Sequence, residues 1–172
     1  TNKNLKILAI DPGTREMGVA ILEDTNLLDY SVKTFRHHGK PKLLLAQVEK
    51  LITRLISESR PDVLALEKNM FSQIQQNYLL TLAVARIKAV AKRMKVEVKE
   101  YAPNTVRKAV CNNGTAKKRE LARAVALRYP ELKVYLDSDK KWKQRYWQNL
   151  FDAVGVGLVQ LHCIAVKSAH FF

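Results

Sequence analysis

The 172-residue chain is short of cysteine, acid, glycine and proline, and each shortage narrows the field. Cys111 and Cys163 are its two cysteines, too few for a disulfide framework or a cysteine zinc site, so a reducing, cytoplasmic setting is expected. Acids number 16 against 30 Lys and Arg, a formal charge of +14, which excludes a dispersed, neutral surface. With 6 glycines and 5 prolines there is no linker, repeat or low-complexity tract, and a single domain over residues 1–172 is expected. No apolar run approaches the roughly 18 residues of a membrane span, so no membrane association is expected. Thr1-Asn2-Lys3-Asn4 leads into no apolar signal region.

What is present is a core-forming composition, 47% apolar, which excludes intrinsic disorder. The charge is lopsided. Residues 1–86 carry 12 basic and 9 acidic residues, whereas residues 87–172 carry 18 and 7, mostly between Lys88 and Arg145. Such a field attracts a polyanion, and nucleic acid is the expected one. A solubilising lysine surface is the plainer reading of the same charge.

Periodicity predicts strands over Leu5–Asp11, Met17–Leu22 and Leu27–Phe35, the first three forming an antiparallel meander. Leu44, Leu45, Val48, Leu51, Ile52, Leu55 and Ile56 recur at helical spacing. A strand over Asp62–Glu67, a helix over Ile74–Arg93 and a strand over Val96–Tyr101 follow. Helices are predicted over Pro103–Cys111, Ala116–Arg128 and Tyr146–Val166, with an irregular basic stretch over Pro130–Arg145. A helix between the third and fourth strands lets the fourth lie parallel to the first. The expected fold is α/β, a five-stranded mixed sheet flanked by helices on both faces.

Two apolar strands end in carboxylates, Asp11 and Glu67. If parallel neighbours, they bring both acids to the sheet edge where open α/β sheets hold ligands. Asp152 lies in the apolar final helix, with Asn149 three residues earlier on the same face. Hard oxygen donors of this kind suit Mg²⁺ or Mn²⁺, and two such ions support phosphodiester hydrolysis. Each acid also has an ordinary reading: a turn former, a solvated strand end and a salt-bridge partner.

Four segments in order resemble one family. They are Ile7-Leu8-Ala9-Ile10-Asp11-Pro12-Gly13, Ala65-Leu66-Glu67-Lys68-Asn69-Met70-Phe71, the basic stretch from Ala102 to Leu121, and Asn149-Leu150-Phe151-Asp152-Ala153. The chain resembles the RuvC-type Holliday-junction resolvases of the RNase H/integrase-like superfamily. The resemblance implies an RNase H-like fold and a homodimeric, Mg²⁺-dependent endonuclease that nicks a four-way DNA junction in pairs, with two ions per site. Asp11, Glu67 and Asp152 match its metal-binding acids. Arg107 and Lys118 match basic residues near the scissile phosphate. The helix over Ile74–Arg93 matches the dimer-forming region, through Leu82, Ala83, Ala85, Ala89 and Ala91; a face buried within one protomer explains the same small residues. Whether a branch-migration motor delivers the junction is left open by the resemblance.

Three features depart from the family. Asn149 stands where Asp is usual, either as a substitution that disables a ligand and traps substrate or as a natural variant. Met70 stands where Phe is frequent, so Phe71 or Met70 is the candidate to stack against or wedge a base; packing beneath the loop explains either residue equally well. The segment Glu131–Tyr146 is about a dozen residues longer than the family implies, with Lys141 and Lys143 beside Trp142 as a candidate DNA contact; a solvated loop anchored by Trp142 is the alternative. Arg15, Lys68, Lys117 and Arg119 complete the candidate DNA-binding set. Two rival functions remain: a nuclease of the same fold acting on RNA–DNA hybrids, and a non-catalytic junction-binding protein.

Overall fold

The computed structural model describes residues 4–68, 77–137 and 140–169. Three antiparallel strands come first: β1 (Lys6–Asp11), β2 (Glu16–Glu23) and β3 (Asn26–Thr34). Helix α1 (Pro41–Ser59) crosses over to β4 (Val63–Glu67), and α2 (Tyr78–Arg93) leads to β5 (Glu97–Tyr101). Then come α3 (Pro103–Cys111), α4 (Lys118–Arg128), a 3-10 turn (Pro130–Leu132), the short α5 (Lys133–Leu136) and α6 (Lys141–Ala169). The sheet order is β3-β2-β1-β4-β5, with β1 antiparallel to β2 and parallel to β4. This is the expected five-stranded mixed sheet.

β1 is buried on both faces because side chains alternate along a strand. Leu8 and Ile10 join Met17, Val19, Leu64 and Leu66 under α1 and α2. Ile7 and Ala9 join Ala20, Leu22, Val63 and Ala65 under α3, α4 and α6. The helices thus cover both faces, as expected.

Helix α6 lies closest to the sheet. A Cβ at Gly157 would stand 2.4 Å from Leu22 Cδ1 and 3.3 Å from Ala9 Cβ. A Cβ at Gly18 would stand 1.8 Å from the backbone oxygen of Asn149. Gly18 in turn pairs with Asp11 across β1 and β2. The missing side chain therefore lets the helix that carries Asp152 settle directly over the strand end that carries Asp11.

Two expectations are corrected. Over Lys141–Val166, α6 holds an 18-residue window of mean hydropathy 1.5, long and apolar enough to cross a membrane by length and composition. Asp152, Gln160 and His162 interrupt the run and hide it from a search for unbroken apolar residues. Of that window, 56% is buried inside the protein, where Leu150, Phe151, Val154 and Val156 cover the sheet. The second correction concerns Pro130–Arg145, which is not irregular throughout. Its described residues form the 3-10 turn, α5 and the first turns of α6. Lys141, Lys143, Gln144 and Arg145 are good helix formers, and aromatic packing anchors the segment. Tyr135 packs against Trp147 with ring centres 4.3 Å apart and planes tilted by 43°, and meets Tyr30 of β3 edge-on at 6.0 Å. Trp142 is not the anchor, being 57% exposed.

Gly18→Ala is expected to destabilise the protein by about 3 kcal/mol, because the new methyl meets backbone rather than a movable side chain. Thermal unfolding should show a fall in Tm of roughly 10 °C.

Candidate active site

Asp11 and Glu67 close β1 and β4. The parallel register pairs Ile7 with Val63, Ala9 with Ala65 and Ile10 with Leu66. One step further sets Asp11 beside Glu67. Both continue the alternation of Ile7-Ala9 and Val63-Ala65, so both carboxylates lie on the face covered by α6. Asp152 meets them from that helix and is 4% exposed.

Each acid is raised above the ordinary carboxylate range. Asp11 is raised well above it, first by burial and then by the charges of Asp152 and Glu67, with Lys118 opposing. Glu67 is pushed up to about 7 by burial and by Asp152, against Lys118 and Arg107. Burial also raises Asp152, while Lys118, Gln148 and Arg107 pull it down. Three carboxyl groups thus meet in one poorly solvated site, where Lys118 and Arg107 offset the rise only in part.

The basic residues that answer them come from α3 and α4. Lys118 Nζ stands 3.3 Å from Asp152 Oδ2, and the carboxylates raise its own pKa, Asp152 foremost. The Glu120 carboxylate accepts the Lys117 amide at 2.6 Å, fixing the first turn of α4 where Lys118 sits. Arg107, half-buried in α3, presents its charge to Glu67 and Asp152. Gln148 is a site residue the sequence reading missed. Its Nε2 donates to Asp152 Oδ1 at 2.9 Å and to the Lys118 carbonyl at 3.2 Å. Its place one turn before Asp152 was the available signal.

Asn149 is turned back on its own helix. Its Nδ2 donates to the carbonyl oxygens of Tyr146 at 3.1 Å and Arg145 at 3.3 Å. Among the described residues, no three His, Cys, Asp or Glu side chains stand ready to hold an ion as they are. The Asp152 carboxylate is occupied on both oxygens, by Lys118 and by Gln148. The donor set itself suits a hard divalent cation, since buried, mutually repelling carboxylates are stabilised by added positive charge.

The other candidates lie around this centre. Lys117 and Arg119 are exposed at the start of α4. Lys68 is exposed just past Glu67, its amide donating to the Tyr101 carbonyl at 2.8 Å. Lys141 and Lys143 are exposed on the first turn of α6. Nine residues separate Lys143 from Asp152, a rise of roughly 13 Å along the helix, so they do not join the acids. Arg15 is exposed on the turn between β1 and β2. Met70 and Phe71 lie outside the described residues, as does Ile74, the expected start of α2.

The sequence model of the crossover junction endodeoxyribonuclease RuvC family matches residues 7–132. The chain belongs to the RuvC family. It is 30% identical over 125 residues to the RuvC of Prochlorococcus marinus (strain MIT 9312), covering 70% of this chain and 80% of that one. With Akkermansia muciniphila RuvC it is 27% identical over 171 residues, covering 96% of each, so this likeness runs on past the end of the family match. Among solved structures, T. thermophilus RuvC in complex with Holliday junction substrate superposes with a TM-score of 0.72. That comparison has 20% identity and covers 90% of this chain and 92% of that one, and it shows the shared RNase H-like fold.

The raised acids make metal-free stability depend on pH. A carboxyl whose folded pKa exceeds its unfolded value contributes most below the unfolded value and loses that contribution as pH rises through the folded one. For Glu67 the window runs from 4.5 to about 7. In EDTA, Tm should fall across that window, and Glu67→Gln should flatten the fall; differential scanning fluorimetry measures both.

Proposed function

We propose that this RuvC-family chain is a Mg²⁺-dependent, structure-selective endonuclease that resolves four-way DNA junctions by paired symmetric nicks. The observation that carries the reading is the convergence of Asp11, Glu67 and Asp152 from β1, β4 and α6 onto one basic-flanked sheet edge. These acids would hold two Mg²⁺ ions, with Mn²⁺ able to substitute and Asn149 as a weakened fourth ligand. When bound, the ions supply a nucleophilic water at neutral pH and stabilise the leaving oxygen of the phosphodiester.

The chain's own residues do the rest. Lys118 pairs with Asp152 and would be free to bind the scissile phosphate were that carboxylate to hold an ion. Arg107 lends charge to the same phosphate from the facing helix. Gln148 holds Asp152 in place, linking α6 to the first turn of α4. Arg15, Lys68, Lys117, Arg119, Lys141 and Lys143 contribute phosphate contacts outside the centre, with Met70 or Phe71 at the unpaired base.

A homodimer with two-fold symmetry supplies two such centres and matches the symmetry of the junction. On α2, Ala83, Ile87, Val90 and Ala91 are buried within the protomer, whereas Ala85 and Ala89 are exposed and Tyr78 is 69% exposed. The exposed strip, with half-buried Leu82, is the proposed meeting face. A branch-migration motor is a further proposed partner, as the source of the junction.

Asn149 favours a second reading, a junction-binding protein that cuts poorly. An amide tied to two carbonyls of its own helix brings no negative charge to the ions. An aspartate at this position could not make those two donations. Asn149→Asp is therefore expected to speed Mg²⁺-dependent nicking of a labelled four-way junction by roughly tenfold or more, at least ~1.4 kcal/mol of barrier. Asp152→Asn should abolish nicking while junction affinity persists. Linear duplex and RNA–DNA hybrid are the controls, in Mg²⁺ and in EDTA. Binding without cleavage by both the parent protein and Asn149→Asp would establish the non-catalytic reading, and preferential cutting of the hybrid would establish the third.

A further inference from the structure

The loop between β3 and α1 forms a second basic feature, which the acidic centre does not use. Between Asp29 and Glu49 the chain has no acid, and it has four basic residues, Lys33, Arg36, Lys40 and Lys42, together with His37 and His38. Arg15, Phe35, Arg36, His37, His38 and Gly39 line a hollow of about 350 Å³. Arg15, Arg36 and His38 are exposed at its rim.

The hollow is held in shape by specific bonds. Phe35 is buried against α1, and its amide donates to the Arg15 carbonyl at 2.8 Å. Gln47 grips the backbone of Arg36 from both sides. It accepts the Arg36 amide at 3.1 Å and donates to the Arg36 carbonyl at 2.9 Å. The Lys40 amide donates to the His37 carbonyl at 2.8 Å, closing a turn with His38 and Gly39 in the left-handed region.

His37 indicates what the hollow takes. It is 8% exposed, and its Nδ1 accepts the Gly39 amide at 3.2 Å. That bond leaves Nδ1 without a proton and sets the N–H on Nε2. Among the described residues Nε2 has no hydrogen-bond partner. His37 Nε2 reaches solvent, since Ser31 Oγ is the one buried side-chain atom without a partner among the described residues; a hollow lined by this imidazole and by the exposed Arg15 and Arg36 fits an anion with several acceptor oxygens. The amides of Lys42 and Leu43, at the start of the 19-residue helix α1, add positive potential beside it.

The hollow also lies at the catalytic edge of the sheet. Arg15 stands on the turn four residues past Asp11, and Phe35 follows the end of β3 at the same edge. A strand lying over the acids can continue onto this loop. We infer that the β3–α1 loop is a phosphate-binding site for the junction strand beyond the scissile position, with His37 Nε2, Arg15 and Arg36 holding one backbone phosphate. The inference rests on the junction-binding reading above, and it adds a seat for the DNA on the side of the sheet away from α4.

The test is binding, which does not depend on the state of Asn149. Fluorescence anisotropy of a labelled four-way junction over a salt series, in Ca²⁺ or EDTA, gives Kd and its salt slope. Arg36→Ala and Arg15→Ala should each weaken binding about 3- to 10-fold and lower the slope by roughly one. His37→Leu should weaken it similarly, and His37→Gln, which keeps an N–H donor there, should recover most of the loss. If His37→Leu fails to fold, the two arginine variants and phosphate-ethylation interference decide the matter. Interference at a phosphate away from the nick, present in the parent protein and absent in Arg36→Ala, is the expected pattern. Parent-like Kd and slope in folded Arg15→Ala and Arg36→Ala would overturn the loop site and leave the junction-binding reading standing. No salt-dependent junction binding by the parent protein would overturn both.

Discussion

Mutual repulsion among three poorly solvated carboxylates is the constraint around which this molecule is arranged. Burial raises the pKa of all three, and charge adds to it: that of Asp152 at Asp11 and Glu67, and that of Glu67 at Asp11. An isolated chain segment would place each in water. They are held together because two strands and a helix whose neighbouring residues are almost wholly apolar have nowhere else to pack. The cost of gathering the charges is met by the burial of those elements, as is usual for a functional site on a stable scaffold.

The close approach of α6 turns that constraint into geometry. Gly18 and Gly157 remove the side chains that would otherwise lift the helix away from β1 and β2. At one end of the contact the helix covers Ala9 and Leu22; at the other, its backbone at Asn149 lies against the strand residue paired with Asp11. Lys118 and Gln148 then complete the arrangement from either side of Asp152. The aromatic group of Tyr30, Tyr135 and Trp147 fixes the upstream part of the same helix to β3. The basic segment around Tyr135 thus serves as a brace for α6 as well as a charged surface.

The positive charge is divided by function. Lys118 and Arg107 stand next to the acids and offset their charge. Lys117, Arg119, Lys141 and Lys143 face solvent, where their charge is available to a polyanion. The β3–α1 loop adds cationic groups on the other side of the same sheet edge. Basic residues on both flanks suit a strand that passes over the acids.

Much of the site was legible because local backbone geometry writes a period into the sequence. Two continuous apolar runs that each end in a carboxylate, Ile7-Leu8-Ala9-Ile10-Asp11 and Val63-Leu64-Ala65-Leu66-Glu67, pointed both acids to one sheet edge, and the parallel register then set them on one face. Helical spacing likewise put Asn149 beside Asp152. The membrane-length window in α6 escaped notice because three polar residues break it, and the early start of that helix because its first turns are charged. What only the tertiary structure decided are the meetings of residues distant in sequence. Lys118 reaches Asp152 across 34 positions, Gln148 joins α6 to α4 across 30, and the hollow at His37 depends on Arg15 and Gln47 from separate elements. No local period encodes such pairs. They arise where packed apolar faces bring side chains from different elements together, and that is settled by the fold as a whole.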